Sequence, residues 1–233
     1  MRLVKDLASG ASAFTTFVQV APRLLSLVGR MRPTWHAGSL AEVTPEALRA
    51  NGIRGVIWDV DGTLTGDRRR DLITECAGPF AALRADAGLR HAVLSNASEP
   101  RFRELGELFP DLPILRAYAL RGGLMYRKAC GAIDTWTAEE LAARLAEGAH
   151  VVRKPSAELV EYALRELGCQ AAEAVMIGDQ YLTDVAGANL AGVRSIKLPT
   201  LAPATFRKTV RLGQVAESLL YAAAYGAVRK PLG

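Results

Sequence analysis

Apolar runs and amphipathic stretches take turns along most of this chain. The run "IRGVIWDV" (53–60) predicts a strand buried on both faces, because its apolar residues are continuous rather than alternating. "ITECAGPFAALRADAG" (73–88) reads as a helix ending at Gly88, and "LRHAVLSNA" (89–97) as a second strand stopping at Ser95 and Asn96. "SEPRFRELGELF" (98–109), with Ser98 as its cap, is helical, and "LPILRA" (112–117) is a short strand. Helices follow at "TAEELAARLAEG" (137–148), where Thr137 and Glu140 have capping-box spacing, and at "KPSAELVEYALRELG" (154–168). "EAVMIGD" (173–179), "LTDVAGANLAG" (182–192) and "VRSIKLP" (193–199) read as strand, helix and strand. Strand and helix in turn predict an α/β fold, a parallel sheet with helices on both faces.

Two regions stand outside that rhythm. "YALRGGLMYRKACGAIDTW" (118–136) has no clean period and reads as an inserted loop or a small flap. Upstream of the first strand, "TPEALRANG" (44–52) is a short helix, with Thr44 as N-cap, Pro45 at the first helical position and Asn51-Gly52 at its end. "MRPTWHAGSLAEV" (31–43) reads as a connector, and residues 1–32 as one or two short helices mixing apolar and basic residues. "AFTTFVQVA" (13–21) behind Arg2 and Lys5 has the look of a short signal core, but Thr15, Thr16, Gln19 and the Pro22-Arg23 break favour an uncleaved amphipathic segment. The division expected is an N-terminal amphipathic extension (1–43), a catalytic domain (44–202) and a C-terminal helical extension (203–233).

Composition narrows the partners. A net charge of +5 over 233 residues fits an anionic partner such as a phosphate ester, nucleic acid or an anionic membrane. The basic residues are dispersed and no aromatic-interleaved basic groove is visible, so no nucleic acid is expected. No apolar run reaches the ~18 residues of a membrane span. Cys76, Cys130 and Cys169 show neither metal spacing nor a disulfide framework, which makes a reducing cytoplasm the default compartment. His36, His91 and His150 are isolated and read as structural or surface groups.

The chemistry gathers at strand ends. Asp59 and Asp61 close the first strand, Ser95 and Asn96 the second, and Asp179 closes "AVMIGD", with Asp184 five residues on; Lys154-Pro155 opens a helix. Each feature alone has a bland reading: an Asp-Gly turn, a helix start with a solvated lysine. Together, in an open parallel sheet, they meet in one crevice outside the carboxyl ends of the strands. Three or four carboxylates around one point call for a cation, and all-oxygen ligation suits Mg²⁺ better than zinc. Ser95, with Asn96 beside it, supplies donors for a phosphoryl group, Lys154 a fixed positive charge, and Gly62 with neighbouring loop amides an oxyanion cradle. Asp59 is then the metal-coordinating nucleophile, since Asp is an established phosphoryl acceptor. Asp61, pointing elsewhere, protonates the leaving alcohol and afterwards deprotonates water.

These residues resemble the haloacid dehalogenase-like (HAD) superfamily. "WDVDGTLT" matches its first motif, "VLSNA" its second, Lys154 its third and "MIGDQYLTD" its fourth, over about residues 50–200. The resemblance implies a Rossmann-like α/β fold and a phosphatase. In it Asp59 is the nucleophile, Asp61 the acid/base that also lends a main-chain carbonyl to Mg²⁺, and Ser95 the phosphate-binding hydroxyl. Lys154 stabilises the phosphoryl charge, Asp179 holds the metal and Asp184 supports the metal site. Only 35 residues separate Asp59 from Ser95, and 57 lie between Asn96 and Lys154, so no large cap is expected and only a small insertion around 118–148.

"GIRGVIWDVDGTLT", "VLSNASEPR", "RKPS" and "VMIGDQYLTDVAGANLAGVRSIKL" are similar to the YqeG-type branch, which includes phosphatidylglycerophosphate phosphatases. That branch usually has Asn where Gly62 stands. The resemblance implies a lipid phosphate substrate and a place in phospholipid metabolism. The stretches 14–32 and 205–230 mix apolar residues with Arg and Lys, so they either bring a cytoplasmic enzyme into peripheral contact with the inner face of an anionic membrane or pack on the domain. The alternatives are a HAD phosphatase acting on a sugar phosphate, nucleotide or phosphoglycolate, a phosphotransferase, and a non-enzymatic basic binding protein.

Overall fold

Helices begin where side chains can take up the first free N–H groups. Thr44 Oγ1 accepts from the Ala47 N–H at 3.2 Å and so starts α2 (Pro45–Ala50), just downstream of α1 (Leu24–Val28) and β1 (Trp35–His36). Further on come β2 (Gly55–Trp58), α3 (Thr74–Ala85), β3 (Arg90–Leu94), α4 (Glu99–Leu108), β4 (Ile114–Leu120), β5 (Gly123–Cys130) and β6 (Ile133–Asp134). Then α5 (Ala138–Ala146) opens on the full capping box: Thr137 Oγ1 accepts from the Glu140 N–H at 3.1 Å, and Glu140 Oε2 from the Thr137 N–H at 2.8 Å. The chain closes with β7 (His150–Val152), α6 (Ala157–Leu167), β8 (Ala174–Gly178), α7 (Ala186–Leu190), β9 (Arg194–Lys197) and α8 (Lys208–Tyr225). This computed structural model describes residues 24–226 and 229–232; the readings made for residues 1–23 lie outside them.

The strands form one sheet in the order β1-β9-β8-β2-β3-β4-β5-β6, with β7 also on β4. From β1 to β4 every pairing is parallel. Successive side chains leave opposite faces of a strand, and here both faces are covered. Val56 and Trp58 join Phe80 and Leu83 of α3 and Phe102 of α4 in one core. Ile57, between them in sequence, joins Leu159 and Ala163 of α6 in the other. The expected α/β sheet with helices on both faces is present. Each fully buried large apolar side chain contributes about 1.5–3 kcal/mol.

Beyond β4 the sheet departs from expectation. The 118–136 tract is neither a loop nor a flap. It completes β4 and folds back as β5 and β6, antiparallel, lengthening the edge of the sheet. Arg121 (φ 51°) and Gly122 (φ 79°) make the two-residue turn between β4 and β5. Positive φ at both positions matches the strand twist, which is why such turns close hairpins. β7, three residues long, pairs antiparallel with the outer half of β4 and delivers the chain to Lys154. The stretch 31–43, expected to be a plain connector, likewise holds β1, which extends the other edge. No helix among the described residues is long and apolar enough to cross a membrane.

Candidate active site

β2 sits between β3 and β8, and the register places their ends level. Trp58 is opposite both Val93 and Ile177, and the Asp59 N–H continues the ladder to the Ile177 carbonyl at 2.9 Å. Asp59, Ser95 and Asp179 each follow the last residue of their strand, so all three emerge at one edge of the sheet. A wide π turn over Tyr181–Val185 brings Asp184 back to the same place. Its carboxylate accepts from the Gln180 N–H at 3.0 Å, and a Cβ at Gly178 would collide with it, so glycine is required there.

Oxygen atoms of Asp59, Asp179 and Asp184 lie within 4.8 Å of one another, and all three residues are buried. Lys154 Nζ reaches Asp59 Oδ1 and Asp184 Oδ1, both at 2.6 Å. Burial alone would lower this ammonium, but Asp184 and Asp59 overcome it and hold it above its ordinary range. The carboxylates fare differently. Burial, reinforced by Asp184 and Asp179, raises Asp59 well above the usual carboxylate range against the pull of Lys154. Burial and Asp184 push Asp179 up to about 7. Asp179 Oδ2 accepts from the Thr200 hydroxyl at 2.7 Å and Gln214 Nε2 at 3.4 Å, while Oδ1 is buried without a partner. Three carboxylates against one ammonium, with an orphaned oxygen among them, fit a divalent cation with oxygen ligands.

The other sequence-derived candidates take separate places. Asp61 turns its carboxylate away from this cluster. Its Oδ1 accepts from Arg101 Nη2 at 2.7 Å, from the Thr65 hydroxyl at 3.3 Å and from the Arg68 N–H at 3.2 Å. Asn96 clasps the main chain of Lys154, donating to its carbonyl at 3.1 Å and accepting its N–H at 2.8 Å. Ser95 lies at the end of β3, partly exposed. Gly62 has φ 97°, and its N–H is taken by the Thr65 carbonyl at 2.8 Å. A Cβ there would stand 2.7 Å from Asp179 Oδ2, so even Asn, which tolerates positive φ, would press on the cluster.

Thr200, Gln214 and Arg101 are contacts that sequence reasoning missed. Thr200 lies three residues beyond the end of β9, in the loop on the same side of the sheet as Asp179. Gln214, on α8, and Arg101, forty positions from Asp61, carry no local signal.

A family model described as HAD-hydrolase-like matches residues 151–200, a stretch that holds Lys154, Asp179 and Asp184. Two relatives share the printed name phospholysine phosphohistidine inorganic pyrophosphate phosphatase. The Bos taurus protein is 32% identical over 182 residues, 75% of this chain and 64% of its own length; the Homo sapiens protein is 32% identical over 184 residues, with the same shares. The chain thus spans somewhat less than two thirds of these relatives. The probable phosphatase YqeG of Bacillus subtilis (strain 168) is 23% identical over 158 residues, 68% of this chain and 71% of its own. Matched model, relatives and the motif residues gathered at the strand ends agree in their likeness: the chain is similar to HAD-like phosphatases.

Proposed function

We propose that the chain is an Mg²⁺-dependent phosphomonoester hydrolase working through an aspartyl phosphate on Asp59. The observation that carries this is the buried cluster of Asp59, Asp179 and Asp184 around Lys154. Mg²⁺, held by Asp59, Asp179 and the Asp61 main-chain carbonyl with Asp184 in support, would neutralise the carboxylates and polarise the phosphoryl oxygens. A carboxylate oxygen of Asp59 attacks phosphorus, and the bond to the leaving alcohol breaks. Asp61 turns off Arg101 and gives that alcohol its proton. Water then attacks the aspartyl phosphate as Asp61 takes the proton back, releasing phosphate and restoring Asp59. The Ser95 hydroxyl and Lys154 hold the phosphoryl oxygens, and the Asn96 side chain keeps Lys154 in place.

The substrate we assign is a lipid phosphate, such as phosphatidylglycerophosphate, met at an anionic membrane surface on the cytoplasmic side. The support comes from α8. Its inner face sets Gln214 on Asp179 and buries Glu217 and Tyr221. Its outer face exposes Leu212 (69%), Val215 (57%) and Leu219 (66%), spaced i, i+3, i+7, near exposed Arg207, Lys208 and Arg211. Apolar residues with basic margins suit a helix lying on anionic lipid. Phe206 and Tyr221, by contrast, face inward.

The test is phosphate release from phosphatidylglycerophosphate, sugar phosphates, nucleotides and phosphoglycolate, with Mg²⁺ or with excess chelator. Release that needs Mg²⁺ and favours the lipid is expected. No release from any substrate would leave the basic-binding-protein reading, and preference for a soluble ester would remove the lipid assignment.

A further inference from the structure

Beside the carboxylate cluster the antiparallel extension holds a second buried set of charges. Arg116 of β4 and Arg127 of β5 are both 2% exposed, and their guanidinium groups lie over the Phe102 ring at 4.5 and 4.7 Å. Glu99 receives Arg116 Nη1 at 2.9 Å, Arg127 Nη1 at 2.7 Å and the Tyr118 hydroxyl at 3.0 Å. Arg127 is fixed in turn by Asp134 of β6, at 2.5 Å to Nη2 and 2.9 Å to Nε. Burying this much charge is expensive unless geometry demands it.

What the set grips is the loop after Ser95. Arg153 Nη1 donates to the Asn96 carbonyl at 2.6 Å. Arg116 Nη2 donates to the carbonyls of Ala97 at 2.5 Å and Ser98 at 3.3 Å. Three consecutive carbonyls are thus drawn to guanidinium groups. In a planar trans peptide the next residue's N–H points opposite to the carbonyl. The N–H groups of Ala97 and Ser98 are therefore turned away from the arginines, and among the described residues no protein acceptor takes them.

We propose that Arg116 and Arg153 are positioning residues for phosphoryl binding. By fixing the peptide planes of residues 96–98 they hold the Ser95 hydroxyl and the N–H groups that follow it ready for an oxyanion. Glu99, Arg127 and Asp134 keep Arg116 in position, so the antiparallel extension serves to brace the loop. This rests on the phosphatase reading above.

The experiment compares wild type with Arg153→Gln, Arg116→Met and Arg116→Lys in the full chain. It measures kcat and KM with p-nitrophenyl phosphate, inhibition by inorganic phosphate, the Mg²⁺ midpoint and Tm. Expected are a rise of about 10–100-fold in KM and in the phosphate inhibition constant, an Mg²⁺ midpoint within about twofold, and part recovery in Arg116→Lys. A merely structural role would lower Tm and the folded fraction without changing phosphate affinity. Should Arg116→Met fail to fold, Arg153→Gln, at a part-exposed position, still decides. Unchanged phosphate affinity in folded Arg153→Gln overturns the brace while leaving the phosphatase reading intact. A wild type that neither hydrolyses nor binds phosphate overturns both.

Discussion

Three buried carboxylates gather beside Lys154, and two of them, Asp59 and Asp184, share its ammonium; around Glu99, two buried guanidinium groups meet two carboxylates. The two sets are joined through Asn96 and Arg153, and the fold treats them oppositely. In the first, burial wins: Asp59 and Asp179 are raised out of the ordinary carboxylate range, and Asp179 Oδ1 has no partner. In the second, burial loses: Arg127 and Arg116 hold Glu99 below its ordinary value, and Arg127 does the same to Asp134. A set balanced within the chain reads as a brace. A set whose buried carboxylates outnumber the ammonium they bond, with one carboxylate oxygen left unpartnered, reads as a place for a cation.

The largest expected effect removes the chemistry from the unbalanced set. Asp59→Asn should abolish turnover, because an amide is a poor nucleophile and a weaker metal ligand. Asp61→Asn should cost about 10²–10⁴ in kcat, the usual worth of a positioned acid/base, and leave the Mg²⁺ midpoint near wild type. Steady-state kinetics across an Mg²⁺ titration reads both. Full activity in Asp59→Asn would sink the mechanism. A loss of Mg²⁺ affinity in Asp61→Asn as large as that in Asp179→Asn would show that the Asp61 carboxylate leaves Arg101 to bind metal.

A second pair of variants sets the clusters directly against each other. Glu99→Gln leaves Arg116 and Arg127 short of a counter-charge, and breaking a buried pair costs about 3–5 kcal/mol. Asp179→Asn, measured in chelator, removes a charge that burial already disfavours, so stability should hold or rise. Urea unfolding of the metal-free proteins gives the two signs. Destabilisation by Asp179→Asn comparable to that of Glu99→Gln would mean that both clusters are internally balanced and that the contrast fails.

How far the sequence shows this differs along the same line. The carboxylate set is legible because two of its members stand at the end of apolar runs, Asp59 after "GVIW" and Asp179 after "AVMIG", with Asp184 five residues on. The Thr137–Glu140 capping box is legible for a similar reason, its spacing being local. The brace is not. β5 is half exposed, with no clean alternation for periodicity to catch, and its turn signal, Arg121-Gly122-Gly123, is lost in a tract rich in basic residues. Strands as short as β1 and β7 fall below any window. The partners of Arg116 and Arg101 are set by tertiary packing, so an arginine bound for a buried carboxylate looks in sequence like one bound for solvent. The bond of the Asn96 side chain to the main chain of Lys154 is not legible either, because a side chain's direction beyond a strand end is not written in the pattern.

The smallest effect fixes the background against which either cluster can be followed as pH changes. His91 opens β3 at the end away from the carboxylates. Its Nδ1 accepts from Trp58 Nε1 at 3.1 Å and its Nε2 faces the Leu83 carbonyl at 3.2 Å, an arrangement that needs the neutral ring with its proton on Nε2. Burial lowers His91 to about 4, with Arg84 adding to the shift and the Leu83 carbonyl opposing it. In the unfolded chain histidine takes its proton near 6.5. Between those values the unfolded state binds the proton and the folded state does not. Stability from this group is therefore intact above about pH 6.5 and declines as pH falls toward 4. At pH 5 the loss should be about 1–2 kcal/mol. Thermal melts of the metal-free protein from pH 7.5 to 5 should show a shallower decline for His91→Phe than for wild type, whatever the starting Tm of the variant. Parallel curves would mean that the folded ring takes its proton near 6.5, as the unfolded chain does, contrary to its two hydrogen bonds.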